Sequence, residues 1–141
     1  MVTLMLARRS LPMALIVVAV LAACSGPDYQ TQDFAGTFAD TDGGILTLHD
    51  DGDYELSGIP VGVLDNDDGT GITEKPNISG TWDLVEPETS TSAIMLSVDE
   101  GGDSYPYGNI QLSIDSTDRL YLFPEGVDSG PLHYLDRASQ P

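Results

Sequence analysis

Cysteine is almost absent from this 141-residue chain, since Cys24 is the only one. With no second thiol available, an intramolecular disulfide cannot form, and the folded part has to be stabilised by apolar packing alone. The single thiol lies where a run of apolar residues stops, in the stretch LAACSGPD, and this position suggests a role other than crosslinking.

Basic residues are also scarce. The chain has five Lys and Arg residues against 23 Asp and Glu residues, and all the acidic ones lie after Cys24, together with only Lys75, Arg119 and Arg137. Residues 24–141 therefore carry three basic and 23 acidic side chains, a formal charge of −20. Such a surface is repelled by phosphate backbones and by anionic lipid headgroups. Nucleic-acid binding and electrostatic membrane docking are both disfavoured.

An apolar run long enough to cross a membrane comfortably is missing as well. The uncharged stretch of residues 11–23 has thirteen residues, whereas a transmembrane helix needs about 20. Arg8 and Arg9 precede it, and a charged start followed by a short apolar run is typical of a secretory signal peptide. Residues 1–23 are therefore predicted to be a signal peptide.

The tetrapeptide Leu21-Ala22-Ala23-Cys24 at the end of this run resembles the lipobox of bacterial lipoproteins. The resemblance implies that the Cys24 sulfur is joined to diacylglycerol and that the signal is removed just before it. It also implies an extracytoplasmic protein that is lipid-anchored to the bacterial cell membrane, where the diacylglyceryl group supplies the two chains that stable anchoring needs. An ordinary signal peptide with Cys24 as a stray thiol, and an uncleaved anchor, are the alternatives.

The mature part divides into a tether and one domain. Residues 24–33 are polar, include Gly26 and Pro27 and show no periodicity, so they are predicted to be a lipidated tether. Residues 34–141 have the ordinary size of a single domain.

Helical spacing of apolar residues is absent from this domain. Apolar residues instead recur at every second position in short bursts bounded by Gly, Asp, Asn or Pro, which predicts antiparallel strands. The bursts are residues 37–39, 45–49, 54–57, 78–85, 94–98, 110–114, 120–123 and 132–135. The predicted fold is all-β, an antiparallel meander of about eight short strands that forms a small up-and-down barrel or a half-closed barrel. A two-sheet sandwich is the alternative.

Residues 58–77 form the one long segment without strand periodicity. Its apolar residues Ile59, Val61, Val63 and Leu64 are predicted to fold back over the open end of the sheet. Segments of this length inside a compact domain are usually functional or disordered, so this one is the best candidate for gating a pocket.

Aspartates cluster in this segment and suggest calcium, which binds several carboxylate oxygens at one point. The candidate ligands are Asp65, Asp67 and Asp68. The EF-hand spacing fails, however, because a loop with Gly69 at its sixth position would end on Lys75. A solvated Asp-Gly turn is the preferred interpretation, and calcium is the only cofactor considered.

Residues that carry catalysis are few. The two histidines, His49 and His133, are predicted to point outward from their strands, and no free thiolate is available to join them in a zinc site. The stretch GVDSG at residues 126–130 has the wrong spacing for a nucleophile elbow. No enzymatic activity is predicted, and a cell-surface hydrolase that uses acidic residues is the alternative.

Aromatic side chains are sparse, and Trp82 and Tyr54 fall on inward positions of their strands. We interpret Trp82 as a packing residue, and pocket lining by Trp82 and Tyr54 is the alternative.

The order GTF, GGILTLHDDGDYELSGIP, SGTWDL, YGNIQLSI and LYLFPEGVDSGPLHYLDR resembles small uncharacterised actinobacterial lipoproteins, which pair a lipobox with a compact β domain. The Gly-Thr-aromatic pattern is also faintly similar to the opening of lipocalins. Together these features predict a non-enzymatic binding or envelope-interaction role. The expected partners are the membrane, through lipidated Cys24, and either a small apolar ligand or an envelope protein.

Overall fold

Eight antiparallel strands close into a barrel. The structure, a computed structural model, describes residues 27–64, 73–86, 92–100, 108–123 and 131–139. The strands are β1 (Gly36–Ala39), β2 (Ile45–Leu48), β3 (Asp53–Ser57), β4 (Ile78–Val85), β5 (Ala93–Glu100), β6 (Ile110–Ser116), β7 (Arg119–Leu122) and β8 (His133–Arg137). Each strand pairs with the next along the chain, and β8 pairs with β1. The up-and-down barrel predicted from the sequence is confirmed in its closed form.

Side chains alternate between the interior and the surface along each strand. In β2, Leu46 and Leu48 are buried and Ile45 is exposed, and in β6 Gln111 is exposed between the buried Ile110 and Leu112. This is the period-two pattern of a strand with one buried and one solvated face. Leu46 and Leu48 of β2 and Ile110 and Leu112 of β6 therefore belong to the core.

The protein's own side chains occupy the described barrel interior. An eight-stranded barrel is just wide enough inside to be filled by side chains. The buried residues form one cluster: Phe34, Phe38, Leu46, Leu48, Tyr54, Leu56, Ile59, Val61, Leu64, Ile78, Trp82, Ile94, Leu96, Ile110, Leu112, Leu120, Leu122 and Leu135. None of them is more than 3% exposed, so these side chains pack against one another inside the barrel.

The connections between strands alternate between the two ends of the barrel. The loop end carries the connections that follow β1, β3, β5 and β7, and the one after β3 spans residues 58–77. In that connection Ile59, Val61 and Leu64 are buried in the core, and the last two lie in a short helix, α1 (Val61–Leu64). The prediction that this segment folds back over the end of the sheet is confirmed for these residues.

The opposite end, here called the N-terminal end, is closed by residues that precede β1. Phe34 is fully buried, and the ring of Tyr29 packs edge-on against it at 5.2 Å between centroids. Between them lies a single 3-10 turn, Thr31–Asp33. The second half of the expected tether is therefore in contact with the domain from Tyr29 onward.

A bulge interrupts the pairing of β4 and β5 between Ser79 and Gly80. A side-chain carbon on Gly80 would overlap the backbone oxygen of Ser97, so only glycine lets the two strands approach this closely. The bulge bends the sheet, which helps a chain of this length to close a barrel.

Candidate functional site

The junction between β1 and β8 is the shortest strand pairing of the barrel. It has only two residue pairs, Phe38 with Arg137 and Ala39 with Asp136. One further backbone hydrogen bond, from Ala138 N to Thr37 O at 2.8 Å, extends it. So few backbone bonds leave the closure of the barrel dependent on side chains, and a side-chain contact lies at each end of this junction.

Arg137 holds the junction at the N-terminal end. Its guanidinium donates hydrogen bonds to Ala35 O at 2.9 Å, Asp33 O at 2.6 Å, Thr117 O at 2.7 Å and Asp118 Oδ1 at 3.0 Å. The same group lies 4.7 Å from the centre of the Phe38 ring. Arg137 therefore connects three parts of the chain, namely the segment before β1, the β6–β7 turn and β8.

Asp40 and His133 hold the junction at the loop end. The distance from His133 Nε2 to Asp40 Oδ2 is 2.8 Å, and the two side chains are 17% and 2% exposed. The other carboxylate oxygen of Asp40 accepts hydrogen bonds from the amides of Asp42 at 2.8 Å and Gly44 at 2.6 Å. The pair thus fastens the β1–β2 turn to the start of β8.

The orientation predicted for His133 is wrong. The predicted strand began at Leu132. Leu132 and Leu135 are three residues apart, so in a strand they face opposite sides, and His133 faces the same side as Leu135. Leu135 is fully buried, and it takes His133 inward with it. His49 is 44% exposed and lies 3.4 Å from Glu55 Oε2, in agreement with its predicted outward position.

Burial and hydrogen bonding act in opposite directions on Asp40. Burial of the carboxyl group raises its pKa, whereas the amides of Gly44 and Asp42 and the side chain of His133 lower it. The lowering effects prevail, so the pKa of Asp40 lies below its ordinary value of 3.8. Asp40 is therefore an ionised, fully hydrogen-bonded carboxylate at neutral pH.

A histidine beside a buried aspartate resembles two thirds of a catalytic triad. A triad also needs a nucleophile that hydrogen-bonds the histidine. Within the described ranges, the only side chain that hydrogen-bonds His133 is Asp40. Both oxygens of Asp40 also fix the local fold, because they accept hydrogen bonds from the amides of Asp42 and Gly44 and lie against His133.

An open groove of about 400 Å³ lies on the outer surface near the β2–β3 turn. Its walls are acidic and are formed by His49, Asp51, Asp53, Tyr54, Glu55, Ser79, Gly80, Asp99 and Glu100. Among the residues that the structure describes, no three His, Cys, Asp or Glu side chains are placed to hold a metal ion. The groove is thus a charged, solvated surface without a metal centre in its described part.

The two residues proposed as pocket lining lie in different surroundings. Trp82 is 3% exposed and donates a hydrogen bond from Nε1 to His49 O at 3.0 Å, so its indole packs in the core beneath the β2–β3 turn. Tyr54 is 1% exposed and borders the acidic groove from inside the barrel wall. The structure does not bring the two into a common cavity among the described residues.

The outer surface across the β1–β8 junction carries apolar and aromatic residues together with one ion pair. We call it the seam face and define it by Ile45, Ala39, Asp136, Arg119, Tyr134, Tyr121 and Phe123. Strand register places Ile45 beside Ala39, Ala39 beside Asp136 and Asp136 beside Arg119, while Tyr134 pairs with Tyr121. The seam face therefore runs continuously over β2, β1, β8 and β7.

Several predicted site residues lie outside the described part of the chain. They are Cys24, the expected lipidation site, and Asp65, Asp67 and Asp68, the candidate calcium ligands. Lipidation at Cys24 and calcium binding stay predictions. No helix in the described ranges combines the length and the apolar character needed to cross a membrane.

Sequence reasoning missed the Asp40–His133 pair, the Arg137 contacts and the seam face. A signal for the seam face was present in LYLF, because inward Leu120 and Leu122 leave Tyr121 and Phe123 outside. No comparable local signal existed for Asp40 and His133, which are 93 residues apart.

Comparison of the chain with protein-family models, with curated proteins and with solved structures finds no match. The resemblances to lipoproteins and to lipocalins therefore stay predictions.

Proposed function

We propose that this protein is a lipid-anchored, extracytoplasmic β-barrel with a non-enzymatic role, which binds a protein partner on its outer surface. The observation that carries the proposal is the packed interior. Eighteen buried side chains form a single cluster inside the barrel, and each is at most 3% exposed. A calyx for a small ligand instead needs an apolar cavity of about 300 Å³ or more.

A binding site is better supported on the outer surface, where apolar residues are exposed. Of the described large hydrophobic residues, Ile45 and Tyr134 are the exposed ones, at 46% and 42%. Exposed apolar residues that form a continuous patch commonly mark interaction sites, and isolated ones do not. Both residues belong to the seam face, which supports a partner on the outside of the barrel.

A lipid at Cys24 would also determine which end of the barrel faces the membrane. Tyr29 is the first residue seen to pack against the domain, and five residues reach roughly 18 Å when fully extended. The N-terminal end would then lie close to the bilayer. The loop end would point away from it, and the seam face, on the side of the barrel, would stay accessible to other envelope proteins.

The anchor is tested by replacing Cys24 with Ser in the full chain and separating the cells into membranes and soluble fractions. A hydroxyl cannot form the thioether to diacylglycerol, and the strongly acidic domain is itself repelled by an anionic surface. We expect the membrane-bound share to fall by about tenfold, since lipid supplies nearly all of the membrane affinity.

The control is Ser25→Ala, which leaves the thiol in place and should leave the protein in the membrane fraction. If Cys24→Ser protein that lacks residues 1–23 stays with the membranes in full amount, the anchoring part of the proposal is wrong.

A further inference from the structure

We infer that the seam face is the docking surface and that its partner is a protein with a basic surface around an apolar centre. The inference rests on the proposed function, because it names the surface and the kind of partner for that binding role. Three features of the seam face support it: its continuity, its rigidity and its charge.

Continuity follows from strand register. Ile45, Ala39, Asp136 and Arg119 form one row of laterally paired positions across four strands, and neighbouring strands are about 4.8 Å apart. Tyr134 lies two residues from Asp136 on the same side of β8. The two exposed large hydrophobic residues thus lie on one outer face, with Ala39 and Asp136 between them.

Rigidity follows from the ring contacts. The Tyr121 ring lies edge-on to Phe123 at 5.2 Å and tilted against Tyr134 at 6.0 Å. The guanidinium of Arg119 lies 5.1 Å from the centre of the Tyr134 ring, and its Nε is 2.5 Å from Asp136 Oδ1. Tyr and Arg are among the residue types enriched at binding hot spots, and side chains that are already held in place lose less entropy on binding.

The negative charge of the chain indicates what kind of partner it binds. Arg119 is already paired with Asp136, and Asp115 lies near enough to act on it electrostatically, so the face offers no free positive charge among its described residues. A second copy of the chain, an anionic lipid surface or a nucleic acid would meet repulsion from residues 24–141, whose formal charge is −20. A basic protein surface is attracted by the same charge and gains specificity from it.

The experiment uses the full chain in living cells, with the photoreactive amino acid p-benzoylphenylalanine in place of Tyr134. The control position is Thr81, which is exposed on β4. We expect the probe at position 134 to give one discrete adduct with a basic protein, and the probe at position 81 to give none. The partner is identified from the adduct by mass spectrometry.

A second substitution on the same face tests the surface itself. Ile45→Asp should lower the adduct yield at position 134 by at least about fivefold, the loss expected for a contact worth more than 1 kcal/mol. Thr81→Asp adds the same charge to an exposed strand position and should change the yield less than about twofold. If Ile45→Asp reduces the amount of folded protein, the probe is placed at position 45 and combined with Tyr134→Ser.

The outcomes separate the two proposals. An adduct at position 81 and none at position 134 would overturn the docking surface and leave an external partner in place. No discrete adduct at any of the three positions would overturn both. An adduct between two copies of the chain, with lipid, or with an acidic protein would overturn the partner inferred here.

Discussion

Replacing Arg137 with Ala is expected to lower the free energy of unfolding by about 4 kcal/mol, since each hydrogen bond to a charged group contributes about 1.5 kcal/mol or more. The side chain is 27% exposed and bonds three backbone carbonyls that belong to different parts of the chain. At its N-terminal end, the β1–β8 junction would lose its side-chain contact and keep only backbone bonds. In thermal unfolding the midpoint should fall by roughly 15 °C for a domain of this size.

Arg119→Ala is the matched control for this variant. It removes the same charge and also breaks a pair with an aspartate, but the Arg119 and Asp136 side chains are about half exposed. Pairs in that setting contribute little to stability because water and salt screen them. The Arg119→Ala midpoint should stay close to that of the unaltered protein, and equal losses in the two variants would refute the role given to Arg137.

Asp40→Asn is expected to lower the free energy of unfolding by about 2–3 kcal/mol at neutral pH, the magnitude for losing charge-assisted hydrogen bonds at a buried carboxylate. The amide has the shape of the carboxylate but cannot accept hydrogen bonds at both ends. It would lose part of its bonding to the amides of Asp42 and Gly44 or to His133. Denaturant unfolding of both proteins gives the difference directly.

The difference in the free energy of unfolding between the unaltered protein and Asp40→Asn should decrease at acidic pH. The pKa of Asp40 in the folded protein is below 3.8, so the ionised carboxylate stabilises the fold at pH values above 3.8. That contribution is lost as the pH falls through the lowered folded pKa, and the difference between the two proteins should then shrink. Relief of repulsion among the other acidic groups affects both proteins alike and cancels.

The control for the pH series is Asp42→Asn, which alters an exposed carboxylate in the same turn. It should cost little stability and leave the pH dependence of the protein nearly unchanged. A difference for Asp40→Asn that stays constant down to strongly acidic pH would show that the carboxylate charge does not contribute.

Local patterns in the sequence were sufficient to predict where the strands lie. Each of the eight predicted bursts overlaps one strand, because alternation such as Leu46-Thr47-Leu48 fits a chain with one buried face. Closure of the barrel was predicted as one of two forms, since short connections leave two exposed edges unless the sheet curls shut. The burial of Ile59, Val61 and Leu64 followed from their apolar character within a polar segment.

Contacts between distant parts of the chain could not be predicted from these local patterns. Arg137 donates hydrogen bonds to the backbone carbonyls of Asp33 and Ala35, more than 100 residues away. Every residue has a backbone carbonyl, so the sequence does not indicate which ones accept these bonds. The burst at residues 132–135 fits two registers, and only tertiary packing turns Leu135 and His133 inward. The Asp40–His133 pair therefore depended on a register that the sequence leaves open.

We propose that lipid lies outside the barrel, on the Cys24 sulfur, and that the interior is filled by the protein's own side chains. Native mass spectrometry of the full chain, gently extracted from membranes, tests both parts at once. The account predicts the mass of residues 24–141 with covalent lipid at Cys24 and no small molecule that departs on denaturation. A small apolar molecule that is released on unfolding, or a Cys24 without lipid, would contradict it.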